Sequence, residues 1–191
     1  MPELRHVAGA VLRSITGTQI LSDKLWASQP ALVLVLRRPG CVLCRDEAKR
    51  LWQLHEKAEA LGISMNCVVH EWREREIEAF APAYWPGPLY HDVDKAFYKA
   101  LGGGQVVKGS SLSLLNPFSS TWARIRKAQQ QVSEHNLVGE GLIMGGLMVI
   151  GKGEAGVLYS HLETDLGVHA DHAEVLQAMQ AAAKTAGTGP A

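Results

Sequence analysis

No apolar run in the sequence is long enough to cross a bilayer: the longest, Ala31 to Leu36, is six residues, against the roughly 20 a spanning helix needs. Met1 to Arg13 also lacks the hydrophobic core of a signal peptide. These two absences predict a soluble chain with no membrane span. They point to the cytoplasm, or to an organelle if a targeting segment has been removed. An excess of one charge is missing as well. Nineteen Lys and Arg balance nineteen Asp and Glu, for a formal net charge of +0, so no overall field draws the chain onto nucleic acid or an anionic membrane. Cysteine is scarce. Three in 191 residues is an odd count that cannot make the disulfide framework of a small secreted domain, and it suggests a reducing compartment. The composition of a disordered chain is absent too, with hydrophobic residues at 47% and charged residues at 20%. No internal repeat or dividing linker is visible, so one domain is expected over residues 1–184, followed by a loose tail over 185–191.

Two of the three cysteines form Cys41-Val42-Leu43-Cys44, and the flanking sequence says where this motif sits. Before it, Ala31-Leu32-Val33-Leu34-Val35-Leu36 is the continuous apolar pattern of a strand buried on both faces of a mainly parallel sheet. Pro30 and Arg37-Arg38-Pro39-Gly40 bound it too tightly for a helix. After the motif, Cys44, Ala48, Leu51, Leu54, Ala58 and Leu61 recur at three- and four-residue steps with charged residues between them, which predicts one amphipathic helix. Gly62 is placed for its left-handed C-terminal cap, and residues 63–69 read as a second strand. The motif therefore opens the helix of a βαβ unit.

Residues 71–80 alternate in charge and predict a short surface helix ending before Pro82. Tyr84-Trp85-Pro86-Gly87-Pro88 reads as a rigid loop, Leu89-Tyr90-His91 as a short strand, and Val93, Phe97 and Leu101 as one face of a short helix. Asn116-Pro117 looks like the start of another helix with Trp122, Ile125, Ala128 and Val132 along one face. Two apolar runs, 142–150 and 156–161, flank a glycine-bearing turn and predict an antiparallel hairpin. A last helix begins near Asp171, with Asp171 and Glu174 in capping-box spacing and Val175, Leu176, Met179 and Ala183 buried.

A thiol in the first turn of a helix faces unpaired backbone N–H groups and the positive end of the helix dipole, which favour thiolate. Arg37, Arg38 and Arg45 are close enough in sequence to add to that stabilisation. The spacing puts Cys44 one turn below Cys41, within disulfide reach. Cys41, directly after the Pro39-Gly40 turn, is expected at the open end of the helix as nucleophile, with Cys44 resolving; the reverse assignment stays open. Zinc is the competing use of such a motif, but tetrahedral zinc needs a second ligand pair, so no metal is expected. His169-Ala170-Asp171-His172 reads as a helix start that caps and hydrogen-bonds, and Cys67 as a buried small hydrophobe. Trp85 and Trp122 read as core aromatics before pocket walls. A non-catalytic binding or redox-sensing module is the rival from another class.

The order strand, Cys-x-x-Cys helix, strand, helices, hairpin, helix resembles the thioredoxin-like α/β fold, a central mixed sheet flanked by helices on both faces, here with a peroxiredoxin-like insertion. Arg37-Arg38-Pro39-Gly40-Cys41-Val42-Leu43-Cys44-Arg45 more specifically resembles the peroxiredoxin-like 2 family, a branch of the alkyl hydroperoxide reductase and thiol-specific antioxidant superfamily whose relatives include prostamide/prostaglandin F synthase. Asp92-Val93-Asp94-Lys95-Ala96-Phe97-Tyr98-Lys99-Ala100-Leu101-Gly102 and Gly141-Leu142-Ile143-Met144-Gly145-Gly146-Leu147-Met148-Val149-Ile150 are similar to further stretches of the family's pattern. The resemblance implies an antioxidant thiol oxidoreductase that needs no cofactor beyond its own dithiol. It would reduce a small peroxide, endoperoxide or disulfide and be regenerated by an external thiol reductant such as a thioredoxin. The chain departs from the peroxiredoxin signature Pro-x-x-x-Thr/Ser-x-x-Cys: with Cys44 in the last position, Arg37 stands for the proline and Cys41 for the hydroxyl residue. Gly145-Gly146 stands where peroxiredoxins carry an arginine, and this pair is expected to let a substrate approach the sulfur closely.

Overall fold

Six consecutive apolar residues can all be buried only if both faces of their strand are covered, and this is how Ala31–Leu36 is used. The computed structural model describes residue 2 and residues 4–110 and 115–187. The strands are β1 (Val11–Ser14), β2 (Gln19–Leu21), β3 (Ala31–Leu36), β4 (Ser64–Val69), β5 (Leu89–His91), β6 (Gly146–Ile150) and β7 (Val157–Leu162). They form one mixed sheet in the order β2-β1-β5-β4-β3-β6-β7. β3 lies in the interior beside the middle strand β4, parallel to it with Leu34 opposite Cys67, and antiparallel to β6 with Leu34 opposite Leu147.

The side chains of β3 alternate between two cores. Leu32, Leu34 and Leu36 pack with Met65, Cys67 and Val149 on one face, and Ala31, Val33 and Val35 pack with Val68, Met148 and Ile150 on the other. The helices are α1 (Val42–Trp52), α2 (His55–Ala60), α3 (Glu74–Tyr84), α4 (Ala96–Leu101), α5 (Ser120–Gln129) and α6 (His172–Gly187). Ala48 and Leu51 of α1 and Val175 and Met179 of α6 cover the first face, while Phe97 and Ala100 of α4 cover the second. Burying each such leucine or valine contributes about 1.5–3 kcal/mol, so the strand that leads into the motif is firmly anchored on both faces. No helix among the described residues is long and apolar enough to cross a membrane.

Several boundaries differ from the sequence expectation. The helix after the motif is two helices. Gln53 and Leu54 donate to the carbonyls of Arg50 and Leu51 three residues back, tightening the turn where Trp52 stacks on His55 and meets Trp85 edge-on. The cap at its end is as expected: Gly62 has φ 67°, its N–H reaches the Glu59 carbonyl and that of Ile63 reaches Ala58, a Schellman ending.

α3 starts later and runs through Pro82 to Tyr84, and it is not a mere surface helix, because Ile77, Phe80 and Tyr84 are buried. Proline is tolerated there because only the last turn loses a bond, and the Trp85 N–H closes the end on the Phe80 carbonyl. α4 begins at Ala96, since the Asp92 carboxylate accepts the N–H groups of Ala96 and Phe97, both at 2.9 Å, and Val93 is exposed. α5 begins at Ser120, capped by Ser119, whose hydroxyl accepts from the Trp122 N–H. β6 begins at Gly146 rather than at 142. α6 continues to Gly187, into the expected tail, of which residues 188–191 lie outside the described residues.

Candidate active site

The chain leaves β3 through Arg37-Arg38-Pro39-Gly40 and enters α1 with Cys41 as N-cap residue, in extended conformation (φ −76°, ψ 131°). Both thiols of the motif therefore sit at the first turn, above the C-terminal end of β3. Cys41 and Cys44 are free and buried, with 5% and 2% of their surface exposed. The expectation of an open, exposed Cys41 is corrected accordingly: the segment 134–142 folds over the turn and covers it. Access survives through a cavity of about 490 Å³, whose walls include Cys41 but not Cys44.

The three arginines do different things. Arg37 is buried, and its Nη2 donates to Cys41 Sγ at 3.1 Å and, more loosely, to Cys44 Sγ at 3.8 Å, while its Nη1 donates to the Gly141 carbonyl at 3.0 Å. Arg38 donates to the carbonyls of Leu137 at 2.8 Å and Gly139 at 3.4 Å, and its charge reaches Cys41 only electrostatically. Arg45 turns away from the sulfurs. It donates to the carbonyls of Pro39 and Glu134, pairs with Glu76 at 3.5 Å and lies over the Tyr84 ring. Asn136 completes the clasp, its N–H on the Gly40 carbonyl and its side-chain amide on Glu76, each at 2.8 Å.

These contacts drive the two thiols apart in acidity. Cys41 is held well below the ordinary thiol value: the Cys44 thiol donates to its sulfur, which outweighs the opposing effect of burial, and Arg37, the Cys44 amide and Arg38 add to it. The amide contribution falls short of a full capping hydrogen bond. Cys44 is pushed well above the ordinary value, first by acting as that donor, then by burial and by the charge on Cys41, with Glu163 adding a further negative charge. Of the two neighbouring thiols, Cys41 is thus the more acidic and Cys44 its hydrogen-bond donor, the arrangement that favours thiolate at Cys41. Burial alone raises Cys67, whose side chain is fully enclosed on β4.

The cavity is apolar. Trp122 and Ile125 of α5, Leu137 and Leu142 of the covering segment, and Leu43 and Leu166 line it, with Arg37, Arg38, Gln129 and His135 as its polar side chains besides Cys41. Trp122 is thus a pocket wall, whereas Trp85 is a fully buried core residue whose ring N–H donates to the Pro88 carbonyl. Gly145 and Gly146 do not border this cavity. A Cβ on Gly145 would lie 2.3 Å from the Val35 carbonyl oxygen, and one on Gly146 would lie 2.0 Å from that of His161, so the pair serves close packing of backbone.

His169 and His172 each bond a carboxylate, Glu163 at 2.8 Å and Glu47 at 3.0 Å. Among the described residues no group of three or more His, Cys, Asp or Glu is arranged to hold a metal ion. Glu47, Glu163 and residues 134–140 escape a reading of the sequence. Only Glu47 leaves a trace, as a charged residue three positions beyond Cys44 on the buried side of α1.

A family model described as AhpC/TSA antioxidant enzyme matches residues 50–165, a span that begins after the Cys-x-x-Cys turn. Proteins named Peroxiredoxin-like 2A are similar over most of the chain. The Xenopus tropicalis protein is 40% identical over 154 residues, 81% of this chain and 65% of that protein. The Mus musculus protein is 36% identical over 159 residues, 83% and 70% of the two chains, and the Homo sapiens protein 34% over 157 residues, 82% and 66%. The chain thus spans about two thirds of the length of these curated relatives. Among solved structures, Xanthomonas campestris peroxiredoxin Q superposes with a TM-score of 0.62 at 16% identity over 94% of each chain. BcpB from Mycobacterium tuberculosis does so with a TM-score of 0.58 at 17% identity over 90% of this chain and 91% of that one. At such identities the likeness is one of fold.

Proposed function

Because the chain belongs to the AhpC/TSA antioxidant enzyme family, we propose that it is a thiol oxidoreductase in which the Cys41 thiolate attacks the O–O bond of an apolar organic hydroperoxide or endoperoxide. The observation that carries this reading is the 3.1 Å contact from Arg37 Nη2 to Cys41 Sγ at the wall of an apolar cavity of about 490 Å³. A thiolate is the nucleophilic form of cysteine, and a cavity of this size suits a molecule larger than hydrogen peroxide.

In the first step a Cys41 sulfur–oxygen bond forms as the O–O bond breaks. With a hydroperoxide, Cys41 becomes a sulfenic acid and the departing alkoxide takes a proton from solvent to leave as an alcohol; with an endoperoxide, both of whose oxygens are bonded to carbon, Cys41 becomes a sulfenate ester and the freed alkoxide is protonated from solvent. In the second step the Cys44 sulfur attacks the Cys41 sulfur, and the sulfur-bound oxygen leaves with the Cys44 proton, as water from the sulfenic acid or as the second hydroxyl of a diol from the ester, closing the Cys41–Cys44 disulfide. An external dithiol such as a thioredoxin then supplies two electrons and two protons to restore both thiols. No cofactor enters this cycle.

The test is a single-turnover reaction with cumene hydroperoxide and with hydrogen peroxide, read by intact-mass and peptide mass spectrometry. A Cys44→Ser variant is expected to accumulate Cys41 sulfenic acid, and a Cys41→Ser variant to lose the first step by a hundredfold or more. The organic hydroperoxide should be the faster substrate. Undiminished consumption of peroxide by Cys41→Ser would reverse the roles of the two cysteines, and inertness of the wild type toward both peroxides would remove the peroxidase reading.

A further inference from the structure

None of residues 92–102 lines the thiolate cavity, although this stretch is one of the three that resemble the family pattern. Its contacts converge on one atom. The buried Asp92 carboxylate accepts the N–H groups of Ala96 and Phe97 and so fixes the start of α4 against the face of the sheet opposite the motif. From the first turn of that helix the fully buried Tyr98 reaches the end of β3 from behind. Its hydroxyl donates to the Leu36 carbonyl at 2.6 Å, and the Val68 carbonyl, at 3.3 Å, is the looser neighbour. The ring is held in place edge-on to His70, with centroids 5.0 Å apart. A buried tyrosine hydroxyl needs an acceptor, and any free carbonyl would serve; this one immediately precedes Arg37.

Leu36 is the last residue of β3, and its carbonyl and the Arg37 N–H are opposite edges of one planar peptide unit. The nitrogen edge is crowded as well, since a Cβ on Gly145 would lie 3.1 Å from the Arg37 nitrogen. The direction in which the chain leaves the sheet is thus set by Tyr98 on one edge of this plane and by the bare backbone of Gly145 on the other. Arg37 comes next, and its guanidinium must meet Cys41 Sγ at 3.1 Å and the Gly141 carbonyl at 3.0 Å at once. A planar fork serving two fixed acceptors tolerates little rotation of the backbone that carries it. We propose that Tyr98 is a positioning residue for the thiolate: by holding the Leu36–Arg37 peptide from the far face of the sheet, it aims the Arg37 guanidinium at Cys41. The assignment rests on the reading of Cys41 as a thiolate held by Arg37. It also gives residues 92–102 a part in the site, with Asp92 fixing α4, α4 presenting Tyr98, and Tyr98 orienting Arg37.

Alkylation of reduced Cys41 by iodoacetamide as a function of pH, read by peptide mass spectrometry, tests this role without any peroxide, so its outcome is independent of the substrate. Tyr98→Phe keeps the ring and removes only the hydroxyl. The midpoint of Cys41 alkylation is expected to rise by about half a pH unit or more, a roughly threefold loss of thiolate stabilisation. In an Arg37→Met background the same substitution should move the midpoint by less than about a third as much, because the residue through which it acts is gone. Tyr159→Phe, which removes a hydroxyl bonded to Glu174 away from the motif, should leave the midpoint at its wild-type position. If the thermal melt shows that Tyr98→Phe does not fold, fluorotyrosine placed at position 98 of the otherwise unaltered chain decides the matter. Its fluorine resonance should follow the Cys41 titration when Arg37 is present and stay fixed in Arg37→Met. A lowered melting temperature with an unmoved midpoint would make Tyr98 a packing residue only and overturn the proposal. So would an equal shift in both backgrounds, or a fluorine resonance that ignores the Cys41 titration or follows it without Arg37. An Arg37→Met midpoint equal to that of the wild type would strike the thiolate reading itself, and this role with it.

Discussion

Arg37 donates from one terminal nitrogen to Cys41 Sγ and from the other to the Gly141 carbonyl, so it adds to the lowering that the Cys44 thiol begins and ties down the segment that roofs the nucleophile. A charge-assisted hydrogen bond of this kind contributes roughly 1.5–3 kcal/mol, and about 1.4 kcal/mol is a factor of ten in an equilibrium. Replacing Arg37 with Met should therefore lower the rate of Cys41 alkylation at pH 7 by roughly tenfold or more. Arg37→Lys should recover part of the rate, because lysine restores the charge without the planar fork. Unchanged alkylation in Arg37→Met would mean that the guanidinium does not hold the thiolate. The pair Cys41 and Cys44 was legible from spacing alone, since three residues make one helical turn. The division of labour among Arg37, Arg38 and Arg45 was not. Which way each guanidinium points is decided by carbonyls and carboxylates 31 to 104 positions along the chain, and no local pattern encodes those partners.

The segment 134–142 has little regular structure of its own. It is held by Arg45 on Glu134, Gly40 on Asn136, Arg38 on Leu137 and Gly139, Glu71 on Glu140, and Arg37 on Gly141. Arg45 fastens this roof without touching either sulfur, so Arg45→Met should speed amide hydrogen exchange at Asn136, whose N–H is on the Gly40 carbonyl, while changing Cys41 alkylation by less than about threefold. A large fall in alkylation with unaltered exchange would give Arg45 the thiolate-stabilising role its sequence position suggested.

Beside Glu47 of the motif helix, and near enough for Glu163 to act on Cys44, His169 pairs with Glu163 at 2.8 Å. Burial by itself lowers His169, but the hydrogen bond and charge of Glu163 outweigh it and raise the imidazole above its ordinary value. A raised folded value means that the pair's stabilisation is complete below the unfolded value of about 6.5 and is lost as pH rises through the folded one. The difference in melting temperature between wild type and His169→Gln should therefore be larger at pH 6 than at pH 9; a difference that grows with pH would contradict the assignment.

These elements also show where sequence patterns fail. The break between α1 and α2 is invisible because Leu51, Leu54 and Ala58 keep helical spacing across it, and Pro82 lies inside α3 because its cost falls on the last turn. The segment 134–142 has no periodicity to read.

At the scale of the molecule, the two cores on either side of β3 follow from a pattern that is local in sequence, whereas β1, β2 and the order of the seven strands are set by pairings that no local pattern states. β3 is apolar at every position because it is an interior strand, and Gly62 and Gly153 and Gly156 of the β6–β7 turn occupy positions of positive φ. The placement of the motif at the end of that strand was therefore legible, and with it the candidate chemistry, whereas the cavity was not. Its walls come from α1, α5, segment 134–142 and Leu166, and only the folded chain brings them to one thiol.

The most direct test of the central claim, that Cys41 is the thiolate nucleophile and Cys44 its protonated partner, is the pH dependence of alkylation of the fully reduced protein by limiting iodoacetamide, resolved by residue with peptide mass spectrometry from pH 4 to 10. The account predicts labelling at Cys41 whose rate reaches its plateau well below the ordinary thiol value of about 8.5, with Cys44 and Cys67 unlabelled until far higher pH. Preferential labelling at Cys44, or a Cys41 rate that titrates near 8.5, would contradict it.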